Sequence, residues 1–220
     1  MKLLLGMGLL SILLLGCIDI EYNQDVDRSG NSVITEKINF TALIEASKEQ
    51  NQTPPDYSSI CINATKGRSD IYCAYEDGVV TVRKNFTEDD GNYVFEKSSE
   101  FPNIVYTLEV RRLPDLGNTD DLGQTDTSAD FKSAEARNSA ATLRAVAVKI
   151  TYVVSMPGEI YSAENGKMVD GAAEFDVLER MSEGEYIVVK SRELDIVPLA
   201  AIGLAILIAG GLVVFFLKKK

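Results

Sequence analysis

The residues best suited to chemistry lie in one acidic stretch near the start of the chain. Asp25, Asp27 and Ser29 are followed by Gly30 and then by Glu36, with the spacing of a calcium-binding loop. Oxygen ligands at alternate positions, a glycine at the sharp turn and a distal glutamate are the groups that such a loop supplies. The flanking residues alternate like strands, so the favoured interpretation is a polar hairpin turn. A calcium site at these residues is the alternative.

Catalytic arrangements are hard to build from this composition. The chain has no histidine, so the Ser-His-Asp and Cys-His sites of nucleophilic catalysis cannot form. Neighbouring carboxylates such as Glu88, Asp89 and Asp90 have the chemistry for glycoside hydrolysis. A chain with 33 acidic residues produces such neighbours by composition alone. We therefore predict a protein that is not an enzyme and that, apart from the calcium alternative, has no cofactor.

The first 17 residues have the pattern of a signal peptide. Lys2 precedes an apolar run that ends at Gly16 and Cys17. The sequence Leu14-Leu15-Gly16-Cys17 resembles the bacterial lipoprotein box, which predicts lipidation of Cys17 after cleavage. The alternatives are an ordinary signal peptide and an uncleaved anchor.

The other end of the chain is apolar over residues 196–217, and three lysines follow at 218–220. A helix of that length can cross a bilayer, and the positive-inside rule places the lysines in the cytoplasm. The sequence therefore predicts a single-pass protein of the cell membrane whose bulk is extracytoplasmic. A core helix or an aggregation-prone tail is the alternative. Ala201, Ala205 and Ala209 recur every four residues, a spacing that would allow a homodimer contact along the transmembrane helix. The alternative is the ordinary abundance of small residues in membrane helices.

The remaining cysteines, Cys61 and Cys73, are an even pair in an exported region. Such a pair predicts a disulfide that closes a small loop. Free thiols or metal ligands are the alternatives, although two cysteines without histidine fit a zinc site poorly.

The region between the two apolar ends carries the acidic residues and the glycosylation motifs of the chain. The chain has a net charge of −11, and all 33 of its acidic residues lie between the two apolar ends. A surface this acidic repels polyanions, so nucleic acid is not an expected partner. Four sequons make glycosylation candidates of Asn39, Asn51, Asn63 and Asn85.

Hydrophobic patterning predicts one domain over residues 18–192. Alternating strands, hairpin turns such as Glu76-Asp77-Gly78, and two helical stretches at 41–50 and 131–143 indicate an α+β fold. We expect a mainly antiparallel curved sheet with about two helices, plus the C-terminal transmembrane helix. Residues 114–130 are rich in Asp, Thr and Gly, which predicts a mobile acidic loop.

One stretch resembles a known family. Residues 150–160 run as a strand into Met156-Pro157-Gly158, and Glu164-Asn165-Gly166 follows. This order resembles the LppM-like domain family, whose layout of signal, single domain and C-terminal membrane helix is also similar. The resemblance implies a non-enzymatic α+β domain, akin to lipid-binding helix-grip folds, that holds a lipid or other hydrophobic ligand.

These observations give two functional expectations. The first is a membrane-anchored extracytoplasmic domain with a lipid ligand in a cavity between the sheet and the helices. The second is a structural or protein-interaction component of the cell envelope that has no small ligand. A large apolar cavity would favour the first, and a fully packed core would favour the second.

Overall fold

The computed structural model describes residues 18–54, 56–114, 130–145 and 148–218, with the side chains of the last helix described through Gly210. The predicted signal peptide with Cys17 lies outside the described residues. So does nearly all of the predicted acidic loop, and so do the last two lysines.

Eleven strands and five α-helices make up the described part of the chain. The strands are β1 (Asp19–Val26), β2 (Ser32–Asn39), β3 (Ile71–Glu76), β4 (Val79–Phe86), β5 (Tyr93–Glu100), β6 (Asn103–Val110), β7 (Lys149–Ser155), β8 (Glu159–Ala163), β9 (Lys167–Val169), β10 (Ala172–Asp176) and β11 (Ile187–Leu194). The helices are α1 (Thr41–Glu49), α2 (Ser58–Thr65), α3 (Ala134–Ala145), α4 (Val177–Glu183) and α5 (Ile196–Lys218).

The strands form two sheets, not one. Sheet A has the order β3-β4-β2-β1-β7-β10-β9, and sheet B has the order β5-β6-β11-β8. Within these sheets β1 and β7 pair in parallel, and the other pairs are antiparallel. The chain passes from sheet A to sheet B directly between β7 and β8, at the turn that contains Gly158.

The hydrophobic core is shared by both sheets and by helices α3 and α4. Alternate residues of each strand point into this core. Tyr22 of β1 and Tyr152 of β7 are examples, and their ring centroids lie 5.8 Å apart in a stacked arrangement. Leu108 of sheet B and Ala140 of α3 belong to the same buried cluster. Burial of this apolar surface is the main stabilising term of the fold.

A short polar chain runs through this core. The hydroxyl of Tyr152 donates to Gln24 Oε1 at 3.0 Å, and Gln24 Nε2 donates to Ser32 Oγ at 3.2 Å. All three side chains are buried, so these hydrogen bonds satisfy groups that would otherwise destabilise the interior. Burial raises the pKa of Tyr152 far above its ordinary value, because the phenolate has no water to solvate it.

The β1–β2 turn joins the two sheets. Arg28 in this turn forms an ion pair with Glu193 of β11 at 3.0 Å, and Glu193 accepts a hydrogen bond from the Tyr106 hydroxyl at 2.6 Å. The Tyr93 hydroxyl of sheet B donates to the Gly30 carbonyl of the turn at 2.8 Å. Desolvation, reinforced by the Glu193 carboxylate, raises the pKa of Tyr106 to about 12.

The predicted architecture is wrong in several respects. A single curved sheet with about two helices was expected, whereas the described residues form two sheets and five α-helices. The helix predicted at 41–50 corresponds to α1, and the one predicted at 131–143 corresponds to α3. Helix α2 was missed because Ser58–Thr65 is rich in Ser, Thr and Asn, which are weak helix formers. Helix α4 was not predicted, although Asp176 caps it by accepting from the Glu179 amide at 3.0 Å.

The prediction for the C-terminal segment also needs correction. Within the part of the chain that the structure describes, no helix is long and apolar enough to cross a membrane. A span needs about 20 apolar residues, and the described side chains of α5 cover only residues 196–210. This finding contradicts the predicted transmembrane helix at 196–217 and the single-pass location with a cytoplasmic tail. The large apolar side chains described in α5 are exposed, with Val197 at 78% and Leu207 at 73%.

Candidate ligand-binding groove

Two adjoining grooves lie near the β3 edge of sheet A. The larger has a volume of about 730 Å³ and is lined mainly by Thr35, Tyr72, Thr81, Arg83 and Asn85. We call it the Tyr72 groove. The smaller, of about 400 Å³, shares Tyr72 and Thr81 with it and extends to Glu76. Together they make a shallow concavity of mixed polar and apolar surface along strands β3, β4 and β2.

Strand alternation explains why these side chains share one face. Inward residues of β4 such as Val80 and Val82 are buried in the core, so Thr81 and Arg83 between them point outward. The register then places Thr35 of β2 opposite Arg83, and Arg83 opposite Tyr72 of β3. Directly opposed residues lie close enough for their side chains to interact. One row of side chains therefore crosses three strands.

Tyr72 is the unusual member of this row. Its side chain is 62% exposed, whereas the other outward residues of β2 and β4 at the groove are polar or small. Tyrosine has an apolar ring and a polar hydroxyl, and it is enriched at binding surfaces for that reason. An exposed tyrosine within a concavity is therefore suited to recognition.

The Arg83 side chain is exposed and has no hydrogen-bond or ion-pair partner among the described residues. The neighbouring lysines differ, since Lys37 lies 3.6 Å from Glu21 and Lys84 lies 3.6 Å from Asp70. A guanidinium offers five donors in a planar fork that matches carboxylate oxygens. Arg83 is thus a cation that is available to a partner at the centre of the groove.

The predicted disulfide between Cys61 and Cys73 is confirmed. Its Cα atoms lie 5.3 Å apart, and it links helix α2 to the inner side of β3. Cys73 directly follows Tyr72 in an edge strand that pairs with β4 alone. The bond therefore holds in place the strand that presents Tyr72.

The residues of the predicted calcium loop are not brought together. Asp25 is exposed on the outer face of β1, whereas Glu36 is buried on the inner face of β2 and accepts from the Tyr22 hydroxyl at 2.7 Å. Asp27 instead accepts hydrogen bonds from the Ser29 amide at 2.7 Å and the Asn31 amide at 3.1 Å. Slight desolvation acts to raise the pKa of Asp27, but these hydrogen bonds outweigh it and hold the pKa below its ordinary value.

This geometry is that of a hairpin turn, which was the favoured interpretation. Among the described residues no three or more acidic or thiol side chains gather as a metal site. Calcium binding stays the untested alternative, which solution experiments can decide.

The glycosylation candidates are all exposed, and one of them lines the Tyr72 groove. Asn39 and Asn85 lie on the outer face of sheet A, and Asn85 lines the Tyr72 groove. Asn51 and Asn63 lie at the end of α1 and within α2. A glycan at Asn85 would occupy one end of the groove. Modification at these residues stays a prediction.

The predicted hydrophobic ligand needs an apolar cavity, and the two grooves are of another kind. Both are open and carry polar or charged side chains, including Asp70 and Arg83 in the larger and Lys37 and Glu76 in the smaller. Apolar ligands are held in pockets with mostly apolar walls. A lipid ligand therefore stays a prediction with no site among these grooves.

The sequence contained the signal that locates Tyr72 beside Arg83. Asp77 and Gly78 both have positive φ, at 50° and 84°, as a two-residue hairpin turn of the type favoured by Asp-Gly requires. That turn sets Glu76 opposite Val79 and hence Tyr72 opposite Arg83. The signal that was not used is Tyr72 itself, an aromatic residue at an outward position of a polar strand face.

Comparison with known proteins gives a distant structural likeness. No family model matches the chain, and no curated protein matches it. Among solved structures, the chain is similar to the folded domain of LppM from Mycobacterium tuberculosis, determined by NMR. The sequence identity is 7% and the TM-score is 0.35, over 82% of this chain and 92% of that chain. The resemblance seen in the sequence is thus supported only as a distant structural relationship, which decides neither the architecture nor the ligand.

Proposed function

We propose that this chain is a non-catalytic interaction module that binds a polar partner through the Tyr72 groove. The observation that carries the proposal is an exposed tyrosine beside an unpartnered arginine in a concave surface. Tyrosine and arginine are enriched among the residues that dominate binding energy at protein interfaces. The expectation of an interaction component without a small ligand is therefore the one that this surface favours.

The chemistry of the lining supports binding over catalysis. Thr35 and Thr81 supply hydroxyls, and Asn85 supplies an amide. A threonine nucleophile needs a hydrogen-bonded base, and among the described residues neither threonine side chain has such a partner. These groups are instead suited to donating and accepting hydrogen bonds with a bound partner.

The test is a binding screen on the purified full chain. Two probes are used, a display library of random dodecapeptides and a panel of immobilised oligosaccharides. Probes that bind the wild type are measured again on Tyr72→Ala and Arg83→Ala. Each change should weaken binding about tenfold, which corresponds to about 1.4 kcal/mol.

Tyr161→Ala is the matched control, because Tyr161 is another exposed tyrosine but lies on sheet B at 45% exposure. Binding to this variant should equal wild type. The proposal fails if no probe binds, or if every bound probe is indifferent to the loss of Tyr72 and Arg83.

A further inference from the structure

The four sheet edges differ in how they are protected against pairing with another chain. Exposed edge strands are templates for new strands, and proteins normally protect them with charges, bulges or very short strands. Strand β5 carries Glu96, Lys97 and Glu100. Strand β8 pairs with β11 through a register shift, and β9 has only three residues.

Strand β3 is the least protected edge, since Glu76 at its end is its only charged residue. Residues 71–75 are uncharged, and the pairing with β4 runs without a register shift from Ile71 to Glu76. Within the described part of the chain, the backbone groups on the other side of β3 make no hydrogen bond to any strand, turn or loop. The edge is therefore ready to accept an added strand.

The outward residues of β3 are complementary to themselves. Tyr72, Ala74 and Glu76 share the outer face, with Ala74 in the middle. If two copies of β3 pair antiparallel about a two-fold axis at Ala74, Tyr72 of one copy lies opposite Glu76 of the other. Arg83 of β4 lies opposite Tyr72 on the side away from the edge. Glu76 of the second copy can therefore reach across Tyr72 toward the unpartnered guanidinium.

We infer that the chain associates with a second copy of itself through β3, with Glu76 of each copy paired to Arg83 of the other across an axis at Ala74. The inference rests on the proposed function and names the partner of the Tyr72 groove. The interface is isologous, so each salt bridge occurs twice. At the two-fold axis the Ala74 side chains of the two copies lie side by side on the outer face, and they are small enough not to overlap.

Charge reversal tests this pairing. The full chain is kept in a large excess of detergent micelles, so that α5 is covered and does not drive association. Molar mass is then followed by light scattering as the protein is diluted. Glu76→Arg and Arg83→Glu should each weaken the dimer at least about tenfold, because each puts like charges together. The double variant should return the dissociation constant to within about threefold of wild type, because both pairs are restored in reverse.

Two further measurements test whether the association uses the β3 edge. Glu96→Arg makes the same charge change on the β5 edge and should leave the dimer intact. Hydrogen exchange should slow in residues 71–76 as the concentration rises, because the edge amides become hydrogen-bonded. Melting temperatures near wild type exclude unfolding as the cause of any loss.

Three results would overturn the inference. They are a monomer at about 100 μM, a dimer that withstands Glu76→Arg, and association without slower exchange in β3. If the dimer is absent while the peptide or saccharide probes still need Tyr72, the inference fails but the proposed function stands. If both are absent, both fail.

Discussion

Gly158→Ala is expected to destabilise the chain strongly, because Gly158 meets two separate constraints. Its φ is +76°, and a methyl group at this position would overlap the backbone carbonyl of Arg192 in β11. A left-handed conformation costs a residue with a Cβ about 1–2 kcal/mol, and overpacking adds about 1–3 kcal/mol. The free energy of unfolding should therefore fall by about 2–5 kcal/mol.

Two other glycines allow the cost of backbone strain and the cost of steric overlap to be measured separately. Gly171 has φ of +82° with nothing within 4 Å of an added methyl, so Gly171→Ala tests backbone strain alone. A methyl on Gly166 would lie 2.5 Å from the Phe175 ring, and the φ of Gly166 is outside the left-handed region, so Gly166→Ala tests overlap alone. Each should cost less than Gly158→Ala, at about 1–2 kcal/mol for Gly171→Ala and about 1–3 kcal/mol for Gly166→Ala.

The assay is urea unfolding of the full chain, followed by tyrosine fluorescence because the chain has no tryptophan. Midpoints are compared at a common slope, so that a change in midpoint reports a change in stability. The reasoning is refuted if Gly158→Ala loses no more stability than Gly171→Ala. In that case the turn between β7 and β8 would not approach β11 as closely as described.

Three further predictions concern the disulfide, a buried tyrosine and the candidate calcium residues of the β1–β2 hairpin. Replacing Cys61 and Cys73 together with alanine should lower the free energy of unfolding by about 3 kcal/mol in urea, and unchanged stability would contradict a structural role for the bond. The pKa of Tyr106 is raised to about 12, so the unfolded chain loses this proton first and stability should fall as pH rises from about 10 to 12. Melting temperatures over that range should fall less steeply in Tyr106→Phe, and equal slopes would count against the assignment. Added calcium should leave the melting temperature unchanged because Asp25 and Glu36 lie on opposite faces of the hairpin, whereas a rise that Asp25→Asn removes would establish a calcium site.

Local pairings could be predicted from the sequence because turn chemistry sets the register. The turn formers between β1 and β2 indicated a hairpin, and the structure pairs Asp19 with Asn39 through to Val26 with Ser32. Likewise, Asp77-Gly78 predicts the β3–β4 hairpin. The groove follows from these two hairpins once their outward residues are identified.

The division into two sheets could not be predicted in the same way. Strand β1 pairs in parallel with β7, far along the chain, and no turn residue specifies such a partner. Met156-Pro157-Gly158 correctly indicated a break in a strand. Nothing local shows that the chain also changes sheets there, because that depends on packing between the layers.

The link between β11 and α5 has a mechanical consequence. Only Asp195 separates the two elements, its amide donates to the Pro102 carbonyl at 2.9 Å, and its carboxylate accepts from the Val197 amide at 3.2 Å. Any pull or twist on the helix therefore passes into the domain without a flexible tether to absorb it. Strand β11 is an inner strand of sheet B, so the load is divided between its ladders to β6 and β8. The covalent path makes sheet B the first layer to bear the load, and the Arg28–Glu193 ion pair passes part of it to sheet A, which carries the Tyr72 groove.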